Sequence, residues 1–185
     1  MKKPDHPLSG TQIILSALGF AAHKHRNQRK NDVEPSTSAA QPIQLAHVLG
    51  VEGNIADEQV IAAAILHDTI EETETTNEEL RQHFGLTIAE VVEEVTNDRS
   101  TSIQERKLRQ LEQAPQFSRR AKLIKLAEKI CDLRDMADNP PPDLTLRQVQ
   151  DYFDWSKEVV DCMRGISPTL ELAFDEVYAR RPSQA

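Results

Sequence analysis

The sequence predicts an all-α, multi-helix bundle, and three observations carry that prediction. Apolar residues recur at helical spacing through almost the whole chain, while Gly and Pro are scarce inside the periodic segments. No run of four or more residues alternates β-branched and polar side chains, and aromatics make up only 4%, so little supplies the half-buried pleated surface of a sheet. With 185 residues and 38% hydrophobic content, the chain is long enough for one sizeable core and short for two, which predicts a single domain over 1–185.

The elements follow in order. Helices are expected near residues 8–29, 41–50, 56–71, 76–84, 86–97, 103–113, 118–137, 145–164 and 168–180. In the first, Ser9 or Thr11 can cap a helix whose Ile13, Ala17, Phe20, Ala21 and Lys24 follow an amphipathic spacing. Two lysines and a short apolar run at the start give it the look of a secretory signal, but Pro4, Asp5 and Pro7 break the charged region. Residues 31–42 form a polar loop, Gly85 follows a short helix, and the NPPPD run at 139–143 cannot continue one. No apolar run approaches the length of a membrane span. A cytoplasmic protein is expected, and Cys131 and Cys162, without zinc-type spacing, fit a reducing compartment.

Charge narrows the partners. A formal net charge of -8 and a pI near 5.3 argue against a broad surface for nucleic acid or anionic lipid. An anionic small molecule would have to be handled locally, and the basic cluster Lys24, Arg26, Arg29 and Lys30 is a candidate for phosphate contact. A solvated basic helix end is the plainer account of Lys24 and Arg26.

The most informative stretch is AAAILHDTIEET, residues 62–73. Adjacent His67 and Asp68 can bind one metal ion together. If the helix continues, Glu71 lies one turn beyond both and Glu72 one turn beyond Asp68, so four side chains crowd one helix end. A second acidic row, Glu128, Asp132 and Asp135, runs beside an apolar stripe of Leu123, Leu126, Ile130 and Leu133. Taken alone, that row reads as a solvated face on which Lys125 and Lys129 make ordinary helical ion pairs. A carboxylate from it would equally complete an oxygen-rich shell for Mn²⁺ or Mg²⁺ with His67, Asp68 and waters.

A series of segments in one order is more specific: KHRNQRKND, QPIQLAHVLG, AAAILHDTIEETETT, FGLTIAEVVEEVTNDRS, QERKLRQLEQAP, AKLIKLAEKICDLRDM and VQDYFDW. Together, over about residues 12–181, they resemble the small alarmone hydrolases, stand-alone relatives of the hydrolase domain of RelA/SpoT-type enzymes. The resemblance implies a compact all-α HD-type domain that binds one Mn²⁺ and removes the 3′-pyrophosphate from guanosine tetra- or pentaphosphate, (p)ppGpp. It implies metal ligands at His67 and Asp68, at residue 41 before Pro42, and at residue 128, with the water-activating pair at 71 and 72.

The chain departs from the family pattern at several of these positions. Gln41 stands where a histidine is expected, and Glu128 and Glu72 stand where aspartates are expected. The longer carboxylates keep their charge. Gln41 loses an imidazole, a stronger donor to a transition metal than an amide oxygen, so metal affinity should fall and Mg²⁺ becomes a candidate beside Mn²⁺. His47, six residues on, faces the far side of that helix and is a poor replacement. Among substrate positions, the resemblance implies a contact from Lys30, where arginine is usual, beside Arg29 of the basic cluster, and Asn31 replaces a lysine. Asp132 replaces an asparagine at the nucleoside, which puts guanine preference in doubt, and Tyr152 matches a tyrosine that closes the pocket. Ile103 replaces a basic residue before ERK.

Two classes of function follow. One is a metal-dependent pyrophosphohydrolase acting on (p)ppGpp or its adenine counterpart (p)ppApp. The other is a catalytically impaired relative that binds nucleotide or a partner on an altered site. The enzyme is favoured, because His67, Asp68, Glu71 and a carboxylate at 128 form a coherent hydrolytic set.

Overall fold

A computed structural model describes residues 9–26 and 40–183, and among them there are helices and no strand. The chain divides into two compact units, residues 1–99 and 100–185.

In the first unit, α1 (Gly10–Lys24), α2 (Ala40–His47) and α6 (Leu86–Val95) each pack on α3 (Glu58–Leu66), and α5 (Asn77–Phe84) packs on α6; a four-residue helix, α4 (Thr69–Glu72), follows α3. Ser9 precedes α1, and the Gln12 side chain reaches back to the Ser9 backbone N–H at 3.0 Å, which satisfies one of the free N-terminal donors. The predicted face of α1 is buried at Ala17, Phe20 and Ala21. Its described helix closes with a tight turn over residues 25–26, and the predicted continuation to residue 29 lies outside the described residues. The helix expected at 41–50 starts at Ala40 and widens into a π-type turn over Val48–Glu52, where the Gly53 N–H donates to the Val48 carbonyl at 2.8 Å. Gly85 has φ +86°, a backbone that a side chain would strain, and it ends α5 and starts α6 within one residue.

In the second unit, α8 (Arg119–Asp138) packs on α9 (Leu146–Asp161) and α10 (Pro168–Tyr178), and α7 (Ile103–Gln113) packs on α9. Ser102 and Glu105 close a reciprocal cap on α7, and Thr145 and Gln148 do the same on α9. Leu123, Leu126, Ile130 and Leu133 of α8 are buried as their spacing predicts, with Phe153, Phe174 and Val159 beside them in this unit's core. Cys131 is buried, Cys162 is exposed, and both are free thiols. Among the described residues, no helix is long and apolar enough to cross a membrane.

Candidate active site

The site grows from the end of α3. Asp57 caps this helix by accepting from the Gln59 N–H at 3.0 Å, and Ala62, Ala63, Ala64, Ile65 and Leu66 are all 0% exposed. Burying Ile65 and Leu66 contributes about 1.5–3 kcal/mol each, enough to fix this helix in its unit's core. The helix stops at Leu66. Thr69 Oγ1 donates to the Leu66 carbonyl at 2.7 Å, so the chain turns at His67 and Asp68 and restarts as α4. The uninterrupted helix expected over 56–71 is therefore corrected. A buried hydroxyl takes up a helical carbonyl and competes with the backbone ladder. One expected relation survives the break, because the Glu72 N–H donates to the Asp68 carbonyl at 2.7 Å and so stands one turn beyond it.

The turn leaves both side chains partly open to solvent at the edge of a dry helix. His67 Nδ1 lies 2.8 Å from the Ala64 carbonyl oxygen. A carbonyl only accepts, so Nδ1 carries the hydrogen and Nε2 of the neutral ring keeps its lone pair. Asp68 Oδ1 lies 3.2 Å from Nε2 of His25, which is 2% exposed.

The two glutamates are held by the segment after α6. The Asn97 backbone N–H and side-chain amide both donate to Glu71 Oε2 at 3.2 Å, and Arg99 Nε donates to Glu71 Oε1 at 3.4 Å. The same guanidinium pairs through Nη2 with Glu72 Oε1. Arg99 therefore spans both carboxylates. It lies 28 residues from Glu71, and no local periodicity could have brought it to notice. His25 left a faint trace in the sequence: it continues the four-residue spacing of Ala17 and Ala21 along the buried face of α1.

At the C-terminal end of α1, Lys24 Nζ is 2.6 Å from Glu79 Oε2 on α5. Lys24 is therefore not a freely solvated helix end, because its charge is engaged within the first unit. Arg29 and Lys30, and with them Asn31, lie outside the described residues. Gln41 is half-buried in the first turn of α2 beside buried Pro42. His47 is 60% exposed and sits 3.5 Å from Glu52, so it does not replace an imidazole at position 41.

In the second unit, α8 does not present a solvated acidic face. Lys125 and Lys129 are 2% and 1% exposed, which corrects the expectation of ordinary surface ion pairs. Lys125 Nζ donates to Glu128 Oε2 at 2.9 Å, while Lys129 Nζ lies 3.5 Å from Glu128 Oε1 and 3.6 Å from Asp132 Oδ2. Buried ammonium groups persist only when paired, and here two lysines share two carboxylates. Lys129 Nζ also sits 4.2 Å from the centre of the Trp155 indole, and Lys107 Nζ approaches the same ring at 4.9 Å. Burial, and then the neighbouring Lys129 charge, pull the Lys107 amine below the usual lysine range.

Tyr152 donates its hydroxyl to Asp132 Oδ2 at 2.5 Å, and its ring is tilted against Trp155 with centroids 5.3 Å apart. Burial raises the Asp132 carboxyl above the ordinary carboxylate range despite Lys129, whose charge acts the other way. The Tyr152 phenol is pushed well above its usual value by burial and by the charge of Asp132. Asp132 and Tyr152 thus form one hydrogen-bonded unit, not two independent side chains.

Among the described residues, no three His, Cys, Asp or Glu side chains gather as a metal-holding group. The His67 and Asp68 pair nevertheless offers an oriented imidazole nitrogen and a carboxylate, a donor set that suits a divalent cation retaining waters.

A buried helix delivering a His-Asp pair, with carboxylates braced beyond it in an all-α chain, defines a metal-dependent phosphohydrolase type of site. Residues 17–153 match the HD domain family. The chain is 43% identical over 173 residues to the zebrafish (Danio rerio) guanosine-3′,5′-bis(diphosphate) 3′-pyrophosphohydrolase MESH1, covering 94% of this chain and 96% of that one. The human (Homo sapiens) MESH1 is 43% identical over 168 residues, 91% and 94% of the two chains. A solved structure described as a metazoan ortholog of SpoT that hydrolyzes ppGpp superposes with a TM-score of 0.85 at 40% identity, over 96% of this chain and 98% of that one. The chain belongs to the HD domain family, among the stand-alone MESH1-type pyrophosphohydrolases. Membership implies a divalent metal.

Proposed function

We propose that this chain is a metal-dependent pyrophosphohydrolase that removes the 3′-pyrophosphate from an alarmone nucleotide, (p)ppGpp or the related (p)ppApp. The observation that carries the reading is the His67 imidazole, locked by Ala64 with Nε2 available beside the Asp68 carboxylate. It is supported by likeness along nearly the whole chain to enzymes named for that reaction on ppGpp. A cytoplasmic setting belongs to the same reading, and two free thiols fit a reducing compartment.

In this reading His67 and Asp68 hold Mn²⁺, with Glu128 and Gln41 as weaker contributors. Glu128 already shares its charge with Lys125 and Lys129, and Gln41 has an amide oxygen in place of an imidazole. Mg²⁺ is the alternative ion. When bound, such a cation acts as a Lewis acid that lowers the pKa of water and offsets charge on phosphoryl oxygens. Glu71 and Glu72 accept the proton of the attacking water and aim its lone pair at the phosphorus. Asn97 and Arg99 restrict where those carboxylates point, so their orientation is set before substrate arrives. The water oxygen bonds to the phosphorus as the phosphorus–3′-oxygen bond breaks, and the proton taken up by the glutamate pair passes to the leaving 3′-oxygen, giving the 3′-hydroxyl and pyrophosphate.

Arg29 and Lys30 supply the phosphate contacts in this reading, and Tyr152 and Asp132 meet the nucleoside. With the Tyr152 hydroxyl donating to Asp132, the ionised carboxylate has only acceptor capacity left and selects donor groups on the base or sugar. That feature keeps (p)ppApp beside (p)ppGpp as a substrate. Incubating Mn²⁺-reconstituted protein with each nucleotide, beside His67→Ala, tests the proposal. Pyrophosphate release above the variant is expected with at least one nucleotide, and equal release with both would contradict it.

A further inference from the structure

Buried within the first unit is an imidazole to which the hydrolytic reading assigns no role. His25 is 2% exposed, and its Nε2 lies 3.2 Å from Asp68 Oδ1 across 43 residues of sequence. Its position is secured by neighbours that pack on α5. Lys24 is tied to Glu79 of α5 at 2.6 Å, and Phe20, one turn earlier, packs edge-on against Phe84 of α5 with ring centroids 5.3 Å apart. α1 also lies along α3, the helix that ends in His67 and Asp68. The end of α1 is thus held on two sides, and the residue following it has little freedom to leave Asp68.

The chemistry of the contact is directional. An ionised carboxylate only accepts hydrogen bonds, so Nε2 of His25 donates to Oδ1. The bond fixes the carboxylate plane and commits one oxygen to the protein, which leaves Oδ2 to face a cation. His67 is oriented in the matching way by the Ala64 carbonyl. Both members of the pair are therefore aimed by a hydrogen bond to an atom that is not itself a donor to the metal. Such outer partners govern ligand orientation, and removing one typically costs about 10–100-fold in metal affinity.

We propose that His25 is a positioning residue that aims the Asp68 carboxylate at the metal, an inference that rests on the metal-binding role proposed for His67 and Asp68. It also offers a way for this chain to tolerate Gln41. A site lacking one imidazole donor depends more heavily on the rigidity of the donors it keeps.

The test compares Mn²⁺ affinity, read from the electron paramagnetic resonance signal of the free ion, in the wild type, His25→Ala and His25→Gln. Glutamine carries its amide N–H near the position of Nε2, so it can restore the bond, whereas alanine cannot. Thermal unfolding of the metal-free proteins and far-ultraviolet circular dichroism control for folding. Affinity should fall about tenfold or more in His25→Ala and recover most of that loss in His25→Gln, with all three proteins folded. Wild-type affinity in a folded His25→Ala protein would overturn this proposal alone, as would equal losses in both variants. Failure of the wild type itself to bind Mn²⁺ would overturn the metal site, and the positioning role with it. If His25→Ala does not fold, the His25→Gln affinity decides: affinity within about threefold of wild type supports the role, and a loss of about tenfold or more contradicts it.

Discussion

His67 Nδ1 donates to the carbonyl of Ala64, three residues earlier on the same buried helix, at 2.8 Å. The bond uses a carbonyl at the end of α3 to choose the tautomer of the ring, and so the first donor of the proposed metal site is prepared by backbone geometry alone. His67→Ala should remove Mn²⁺ binding and reduce pyrophosphate release by at least about 100-fold, while the melting temperature of the metal-free protein changes little because the side chain is partly solvated. Calorimetric titration with Mn²⁺ and a thermal melt check both halves.

Arg99 connects Glu71 and Glu72 through one guanidinium. Arg99→Ala would remove the bridge between the two carboxylates and leave Glu71 held by Asn97, and kcat should fall about 10–100-fold with Mn²⁺ affinity nearly unchanged, consistent with the contribution of a positioned base. Arg99→Lys offers a single point charge in place of the fork and should recover only part of the loss. Steady-state kinetics at saturating Mn²⁺ distinguish the outcomes.

Position 41 can be tested in the opposite direction. Gln41→His restores an imidazole ahead of Pro42, and Mn²⁺ affinity should rise about tenfold if that side chain enters the shell. Unchanged affinity would place residue 41 outside it.

The buried lysines of α8 make a stability prediction. Lys129 is 1% exposed and faces Glu128, Asp132 and the Trp155 ring. Lys129→Met keeps the volume but removes one of the two ammonium charges shared by Glu128 and Asp132, leaving Lys125 on Glu128, so unfolding free energy should drop by about 3–5 kcal/mol in urea denaturation.

Much of this was legible in the sequence, and what was not has particular causes. The helix at 103–113 was readable to the residue, because Ser102 and Glu105 mark its start by local hydrogen bonds. The stripe of α8 was readable because its period is helical. The break at His67 was not, since it depends on one Thr69 hydroxyl choosing the Leu66 carbonyl over solvent. The burial of Lys125 and Lys129 was not, because Lys-Glu spacing on a helix looks the same whether its face meets water or Trp155. Of the candidate site, the local series His67, Asp68, Glu71 and Glu72 could be seen, but their partners His25, Asn97 and Arg99 are 26 to 43 residues distant and are brought close only by tertiary packing.

Asp132 supplies a pH dependence whose sign is fixed by its environment. Burial raises its folded-state value above the ordinary 3.8, so the folded protein binds a proton more tightly there than the unfolded chain does. The favourable contribution of the protonated group is present below 3.8 and is lost as pH rises through the folded-state value. Asp132→Asn imitates the neutral carboxyl, so it should be more stable than wild type at neutral pH, with the advantage vanishing below that ordinary value. Denaturation at a series of pH values checks the trend. The same substitution removes the acceptor-only character of residue 132, and the ratio of kcat/KM for (p)ppGpp against (p)ppApp should move with it.

In the proposed function, pyrophosphate release depends on a cation held by His67 and Asp68. The most direct measurement of that dependence is the rate of release from (p)ppGpp and (p)ppApp as Mn²⁺ is titrated into chelator-treated protein, for wild type beside His67→Ala. The rate should rise from the chelated baseline to a plateau in the wild type and stay at baseline in the variant. A wild-type rate independent of Mn²⁺, or a variant that responds to Mn²⁺ as the wild type does, would contradict it.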